Sequence, residues 1–465
     1  MPSLLRKIYK SILLFIAVAT FSLHICSILL YERSINMLTP DMFSAILATN
    51  PTETEEFVIT YFDWNILLLL LTLLVLLLIL FYKLNRVTLN LKIVPRITLF
   101  LFIVFSISVV WLKCENVFNI PTVQMLKKGR VPDLREYRQN PEIVKSGDAP
   151  KNIVIIIGES FSKYHSSLYG YEKRTNPLLE NMVADSVLYV YKNVESLALS
   201  TIPSIKSIMT SYRNEYSDSI AWYNYLTIID VMRSRGYETY WLSNQSKRGF
   251  HDNEVGRYAE LCNVELFVGD KYSGLERGSL DEELLPLIDS CLCSHNSSQF
   301  VIIQLMGSHS AYKKRYPAEH ERFVIGDYEN SHKELSDDKK QLVAEYDNSV
   351  LYNDSVVYEI MNRFSDKEAV VFYFSDHGED IFRSSEVFIG HGNYGDEKSE
   401  YITKQIPFMV YTTERFRDKF PLLEERIKRA VDVLYRTDSV MYTIMDVAGI
   451  DSVNSVSYKY KSLFK

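Results

Sequence analysis

Cysteine is scarce: five thiols in 465 residues are too few for a disulfide scaffold, and an odd count leaves at least one free or paired to another chain. An excess of positive charge is also missing. Lys and Arg together number 51 against 58 Asp and Glu, a formal net charge of −7, which argues against a general nucleic-acid binder. From Lys151 onward there is neither an internal repeat nor a low-complexity tract, so that part reads as an ordinary globular domain, large enough for a substantial core. The whole chain is about three times the ~150-residue domain norm, which excludes one small binding module.

Charge of either sign is absent from three long stretches. Ile12–Leu30 holds no Lys, Arg, Asp or Glu and is close to the ~20 residues that cross hydrocarbon as a helix. A cleavable signal peptide is the rival reading, but its apolar core runs to only ~7–15 residues. Trp64–Tyr82 is the clearest apolar run, and Ile97–Leu112 is shorter, with Val94 and Pro95 extending it toward the headgroups. The segments 12–30, 64–82 and 97–112 are therefore expected to span a membrane within an N-terminal helical region, 1–112. His24 and Cys26 in the first span read as helix packing. Residues 1–10 carry Arg6, Lys7 and Lys10, and residues 83–96 carry Lys83, Arg86, Lys92 and Arg96, without an acid in either; both are expected inside. Residues 31–63 hold Glu32, Asp41, Glu53, Glu55, Glu56 and Asp63 against Arg33 alone, so that loop faces out. Everything after Leu112 then faces out as well. Residues 113–150, with Pro121, Pro132, Pro141 and Pro150 and no apolar run, read as a bridge, either solvated or lying on the membrane surface.

In 151–465, short runs of β-branched and aromatic residues alternate with helical stretches: Ile153–Ile157, Tyr237–Leu242, Phe300–Leu305, Ala369–Phe374 and Ile406–Tyr411. The pattern predicts an α/β domain with a largely parallel sheet, and such sheets place their sites beyond the carboxyl ends of the strands. There the sequence has Gly158-Glu159-Ser160, Met306-Gly307-Ser308-His309 and Ser375-Asp376-His377-Gly378-Glu379. Carboxylates and imidazoles at converging strand ends suit a zinc ion. Helix capping explains any one of these acids as well, but not three strand ends together. Asp347 and Asp354, seven apart and so on one helix face, read as structural.

NIVIIIGES (152–160), SLYGYEKRTNP (167–177), MGSHSAY (306–312), YDNSVLYND (346–354) and SDHGED (375–380) resemble, in this order, the motifs of the phosphoethanolamine transferases, membrane enzymes of the alkaline phosphatase and sulfatase superfamily. The resemblance runs from about residue 152 to 450. It implies an alkaline-phosphatase-like α/β sandwich in the periplasm, tethered to the bacterial inner membrane by several helices. It also implies a threonine that is both nucleophile and zinc ligand. Thr201, in Ser200-Thr201-Ile202-Pro203-Ser204, matches; Ser200 is the neighbouring alternative, and either could also cap a helix. Carried over by position, the zinc ligands are Glu159, Thr201, Asp376 and His377, for one tightly held ion, with a second left open. His309 and His391 match the two histidines that contact the transferred phosphate or a second metal. Asn244 and Lys247 resemble a phosphate-contacting pair. Relatives with five spans and with a disulfide around the nucleophile differ from this chain, which shows three spans and no cysteine in 190–215. Cys262, Cys291 and Cys293 could form at most one bridge among themselves.

The expected activity is transfer of phosphoethanolamine from phosphatidylethanolamine, through Thr201, to lipid A or another envelope glycan. A phosphoglycerol transferase shares fold, metal and threonine. A sulfatase would need Cys or Ser where Thr201 stands, and a non-catalytic receptor would not need to keep every candidate ligand.

Overall fold

The computed structural model describes residues 140–465, apart from 212–223, 248–253, 269–278, 294–296, 387, 389, 393–395, 455 and 458–460, together with the isolated positions 68, 72 and 75. The expected spans 12–30 and 97–112, nearly all of 64–82, and residues 113–139 of the bridge lie outside the described residues. No helix among the described residues is long and apolar enough to cross a membrane. The chain divides into two compact units, and every element below belongs to the carboxy-terminal one.

Seven strands form the central sheet: β1 (Asn152–Gly158), β2 (Leu188–Val190), β3 (Glu238–Ser243), β4 (Val264–Phe267), β5 (Gln299–Gln304), β6 (Ala369–Ser375) and β7 (Phe408–Thr412), in the order β2-β7-β6-β1-β5-β3-β4. β6, β1, β5, β3 and β4 are mutually parallel, whereas β7 runs antiparallel to both β6 and β2. The sheet is thus mixed: largely parallel, as the runs predict, with one reversed strand near its edge. That reversed strand starts at Phe408, not Ile406, and the sequence runs contain neither β2 nor β4.

β1 is central, and its unbroken β-branched run is what burial on both faces requires. In register, Ile155 lies between Ile302 of β5 and Phe372 of β6. Strand alternation then sends Ile153, Ile155 and Ile157 into one core with Phe300, Ile302 and Phe372. Val154 and Ile156 enter the other, with Val301, Ile303 and Tyr373. Fully burying each isoleucine contributes roughly 1.5–3 kcal/mol, so this strand fixes the sandwich.

Six helices matter for the site: α1 (Pro177–Ala184), α2 (Thr201–Met209), α3 (Ile228–Arg235), α4 (Leu285–Cys293), α5 (Asp337–Asn362) and α6 (Val440–Val447). Ile205, Ile208 and Met209 of α2, with Ile228 and Val231 of α3 and Met441 and Ile444 of α6, cover the first core. Leu179 of α1, Ile288 of α4 and Val343, Tyr346 and Val350 of α5 cover the second. α1 begins at Pro177, whose missing N–H costs nothing in the first turn, and the N–H groups of Leu178 and Leu179 donate to Asp354 of α5 at 2.9 and 3.2 Å. Asp354 therefore caps a helix other than its own. Ile143–Lys145, within the stretch read as a bridge, forms a small strand that pairs antiparallel with Ile450–Val453. Cys262 is a free, buried thiol, and Cys291 is buried as well.

Candidate active site

Three strand ends assemble the site. Glu159 follows β1, the Met306–His309 loop follows β5, and Asp376 and His377 follow β6. Hydrogen bonds lace these turns together: Asp376 N–H donates to Gly158 O and Ser308 N–H to Glu159 O, both at 3.0 Å. Two backbone conformations make the approach close enough. Ser160 sits at φ 55°, a left-handed value that costs a non-glycine residue about 1–3 kcal/mol, and its hydroxyl donates to Glu159 Oε1 at 2.9 Å. Gly307 has φ +54°, and a Cβ there would stand 2.7 Å from Glu159 O and 2.9 Å from Glu159 N.

Glu159, Asp376 and His377 are all buried, with one ligand atom from each lying within 4.8 Å of the others. His377 Nε2 is 3.2 Å from Glu159 Oε1 and 3.5 Å from Asp376 Oδ2. Its Nδ1 is 2.9 Å from Gly378 O; a carbonyl can only accept, so Nδ1 carries the proton and Nε2 is the atom turned to the cluster. Thr201, the first residue of α2, brings Oγ1 to 3.1 Å from Glu159 Oε2 and 3.4 Å from His377 Nε2. Ser200 precedes the helix and makes no side-chain capping bond. The structure thus gathers the four expected ligands, Glu159, Thr201, Asp376 and His377, at one point.

Burial opposes charge at every one of these acids and bases. Burial alone would raise Glu159, but the hydrogen bond and charge of His377, with His309 and His391 behind it, hold its carboxyl well below the usual carboxylate range. For Asp376, burial and then the charge of Glu159 push the carboxyl well above that range. Burial lowers His377, yet Asp376 and Glu159 outweigh it and raise the imidazole to about 10. Two acids this close can both ionise only with positive charge between them. Asp376 Oδ1 accepts from His377 N and Ser160 N at 2.7 and 3.3 Å, while Oδ2, buried, has no hydrogen-bond partner among the described residues. An unsatisfied carboxylate oxygen beside a second carboxylate, an imidazole Nε2 and a hydroxyl is a donor set that fits zinc.

The two further histidines are near. His391 Nδ1 is 2.7 Å from Glu379 Oε2, and its ring centroid is 4.3 Å from that of His377; Tyr312 OH donates to Glu379 Oε1 at 2.7 Å. His377, Glu379 and His391 form a second compact group of ligand atoms. His309 is close enough for its charge to act on Glu159. Asn244 and Lys247 are engaged elsewhere. Asn244 Nδ2 donates to Asp281 Oδ1 at 2.8 Å and to Ser279 O at 3.2 Å, and Lys247 Nζ is 2.9 Å from Glu265. One contributor has no counterpart in the sequence expectations, and a second stands there only as part of a strand-end motif. Gln245 Nε2 donates to Glu159 Oε2 at 2.9 Å, and its place just past β3 was the available signal. Glu379 stands inside the SDHGED motif, but nothing in the motif says that it faces His391.

With the geometry in place, likeness to known proteins can be weighed. The sulfatase family pattern matches residues 151–450, more than half of the chain. The chain belongs to the sulfatase family. It is 27% identical over 338 residues to phosphoethanolamine transferase EptC of Escherichia coli O18:K1:H7, covering 71% of this chain and 56% of that protein. It is 30% identical over 302 residues to phosphoethanolamine transferase EptA of Helicobacter pylori, covering 63% and 53%. This sulfatase-family chain therefore spans a little over half the length of the curated relatives it matches. Among solved structures, it superposes on the C-terminal periplasmic domain of Escherichia coli EptC in complex with Zn at TM-score 0.62, with 24% identity over 70% of this chain and 90% of that one. It also superposes on the integral membrane protein EptA of Neisseria meningitidis at TM-score 0.67, with 19% identity over 92% and 82%. These structures establish the α/β alkaline-phosphatase-like fold with its mixed central sheet.

Proposed function

We propose that this protein transfers phosphoethanolamine from phosphatidylethanolamine to lipid A or another envelope glycan, in two steps through Thr201. The carrying observation is Thr201 Oγ1, held 3.1 Å from Glu159 Oε2 and 3.4 Å from His377 Nε2 at the first turn of α2. The names of the relatives and the zinc complex of the Escherichia coli domain support the reading. Glu159, Asp376, His377 and Thr201 would hold one zinc ion. When bound, zinc supplies the positive charge that makes a threonine hydroxyl acidic at neutral pH and offsets charge building on phosphoryl oxygens.

The residues of this chain do the rest. Glu159 accepts the hydrogen bond of the Thr201 hydroxyl and takes its proton as Oγ1 forms the new bond. Oγ1 attacks the phosphorus of the donor, the P–O bond to diacylglycerol breaks, and the departing oxygen takes a proton from His309 or His391. Glu379, receiving Tyr312 OH on one oxygen, fixes the His391 ring through the other. An acceptor hydroxyl then attacks the same phosphorus, giving its proton to the histidine that protonated diacylglycerol, and Thr201 Oγ1 leaves, regaining its proton from Glu159. The N–H groups at the start of α2 favour the phosphoryl charge in both steps. Asn244 and Lys247 would reach substrate only by giving up Asp281 and Glu265. The charge pattern of residues 1–112 supports a multi-pass anchor in the bacterial inner membrane with the catalytic domain in the periplasm.

Incubating the full chain in detergent with phosphatidylethanolamine and no acceptor should leave phosphoethanolamine on Thr201, read by mass spectrometry of its peptide. Thr201→Ala should neither label nor turn over. A phosphoglycerol adduct from phosphatidylglycerol would assign the chain to that donor instead, and an active Thr201→Ala variant would end the nucleophile assignment.

A further inference from the structure

A cavity of about 540 Å³ has a lining that includes Tyr164, Tyr171, Glu334, Arg383, Lys398 and Tyr401. That volume is within the ~300–1,000 Å³ of small-molecule sites. Its walls grow from the loops that carry the catalytic cluster. Tyr164 follows Glu159 by five positions, and Ile381, also in the lining, follows Asp376 by five. Five residues reach at most ~18 Å, so both walls lie within a short glycan's length of the ligand carboxylates. The loop is also tied to His391: Asp380 Oδ1 accepts the N–H groups of Arg383 and Ser384 at 3.0 and 3.1 Å, while Asp380 N–H donates to Gly390 O at 2.8 Å.

The chemistry of the lining is specific. In a chain of net charge −7, two cations, Arg383 and Lys398, are in this lining. The guanidinium of Arg383 lies 4.0 Å from the Tyr164 ring centroid, and Lys398 Nζ donates to Ser384 O at 3.0 Å. Neither side chain forms an ion pair with a described residue, and Glu334 is the acid that shares the lining. Guanidinium and ammonium donors suit phosphate oxygens. Flat tyrosine rings, each with an apolar face and a polar tip, suit a sugar ring that is apolar on one face and hydroxylated at its rim. A buried polar floor keeps the rings in place: Tyr171 OH donates to Asp347 Oδ2 at 2.7 Å, and its ring lies 4.8 Å from that of His165.

We infer that this cavity binds the acceptor through a phosphorylated sugar, with Arg383 and Lys398 on the phosphate and Tyr164 and Tyr401 against the ring. The inference rests on the two-step transfer proposed above, since only that reaction needs a second substrate beside Thr201. Titrating glucose 1-phosphate, glucose and inorganic phosphate separately into the full-length protein in detergent, by calorimetry, tests it without turnover. Glucose 1-phosphate should bind more tightly than either fragment. Arg383→Ala and Lys398→Ala should each weaken it about tenfold, the scale of one charge-assisted hydrogen bond, and Tyr401→Ala should weaken the sugar phosphate while leaving inorganic phosphate unchanged. Thr201 labelling by phosphatidylethanolamine should keep its rate in Arg383→Ala while transfer to glucose 1-phosphate falls. Equal affinity for glucose 1-phosphate in the wild type and all three variants, no binding, or inorganic phosphate bound as tightly as the sugar phosphate would overturn the inference. Binding with the expected losses but no Thr201 labelling would uphold the cavity and refute the transfer reaction.

Discussion

Asp347 and Asp376 are both completely buried, and each lies beside a histidine, yet they do opposite work. Asp347 has every side of its carboxylate occupied. Oδ1 meets His165 Nδ1 at 2.7 Å, and Oδ2 accepts Tyr171 OH and Tyr328 OH at 2.7 and 2.5 Å. Asp376 has one oxygen satisfied by two N–H groups and the other facing Glu159 and His377 without a hydrogen bond. A saturated buried acid holds the fold together, because removing it strands its partners. An unsaturated one stores binding capacity that the fold does not use, and that capacity marks the chemical site.

The largest effect should come from breaking the unsaturated acid. Asp376→Ala should lower bound zinc, measured by elemental analysis, and reduce transfer by at least about a hundredfold, while thermal stability holds, because Glu159 loses a repelling neighbour. Next is His391→Ala. If His391 acts on phosphate and leaving group, this variant should keep about one zinc per chain and lose most of its transfer activity; full loss of zinc would place His391 among the primary ligands.

Asp347→Ala should invert that pattern, destabilising the domain by about 3–5 kcal/mol in denaturant titrations with zinc content unchanged. Loss of zinc without loss of stability would erase the distinction between the two acids. The last effect shows only as a change with pH and belongs to Asp354, which burial pushes up to about 7 even though the N–H groups of Leu178 and Leu179 pull the other way. Between the usual ~3.9 and that value the folded chain keeps a proton that the unfolded chain has released. The contribution is therefore complete at low pH and is lost as pH rises through about 7. Relative to Asp354→Asn, wild-type stability should fall across this window by up to about 1.4 kcal/mol per pH unit; parallel pH profiles would show that Asp354 is already ionised when folded.

Hydrophobic runs made the interior strands legible, because β1, β5 and β6 are buried on both faces and can tolerate nothing polar along most of their length. Leu188–Val190 and Val264–Phe267 escaped for the opposite reason. They are short edge strands, and the four residues of β4 are only partly buried. The reversal of β7 left no trace either, since strand direction does not alter side-chain alternation. At the site, residues at strand ends were readable because topology puts them on one rim. Gln245 and the Glu379–His391 contact were not, because a lone amide or acid in a loop has no period to betray which way it faces. Asn244 shows the converse: a polar residue at a strand end, in the right place by pattern, whose amide braces Asp281, which in turn accepts the N–H groups of Met306 and Gly307.

Gly307 puts a scale on the whole arrangement. With only a hydrogen where other residues carry carbon, the loop bearing His309 seats against the Glu159 backbone at a separation that a single methyl group would forbid. Neither side can yield, since the contact is to main-chain atoms rather than to a flexible side chain. Glu159 and the loop bearing His309 are thereby held at one fixed separation. The residue that sets this separation carries no charge and no side chain; it acts as a gauge block, and the spacing between Glu159 and the histidine loop is measured from it.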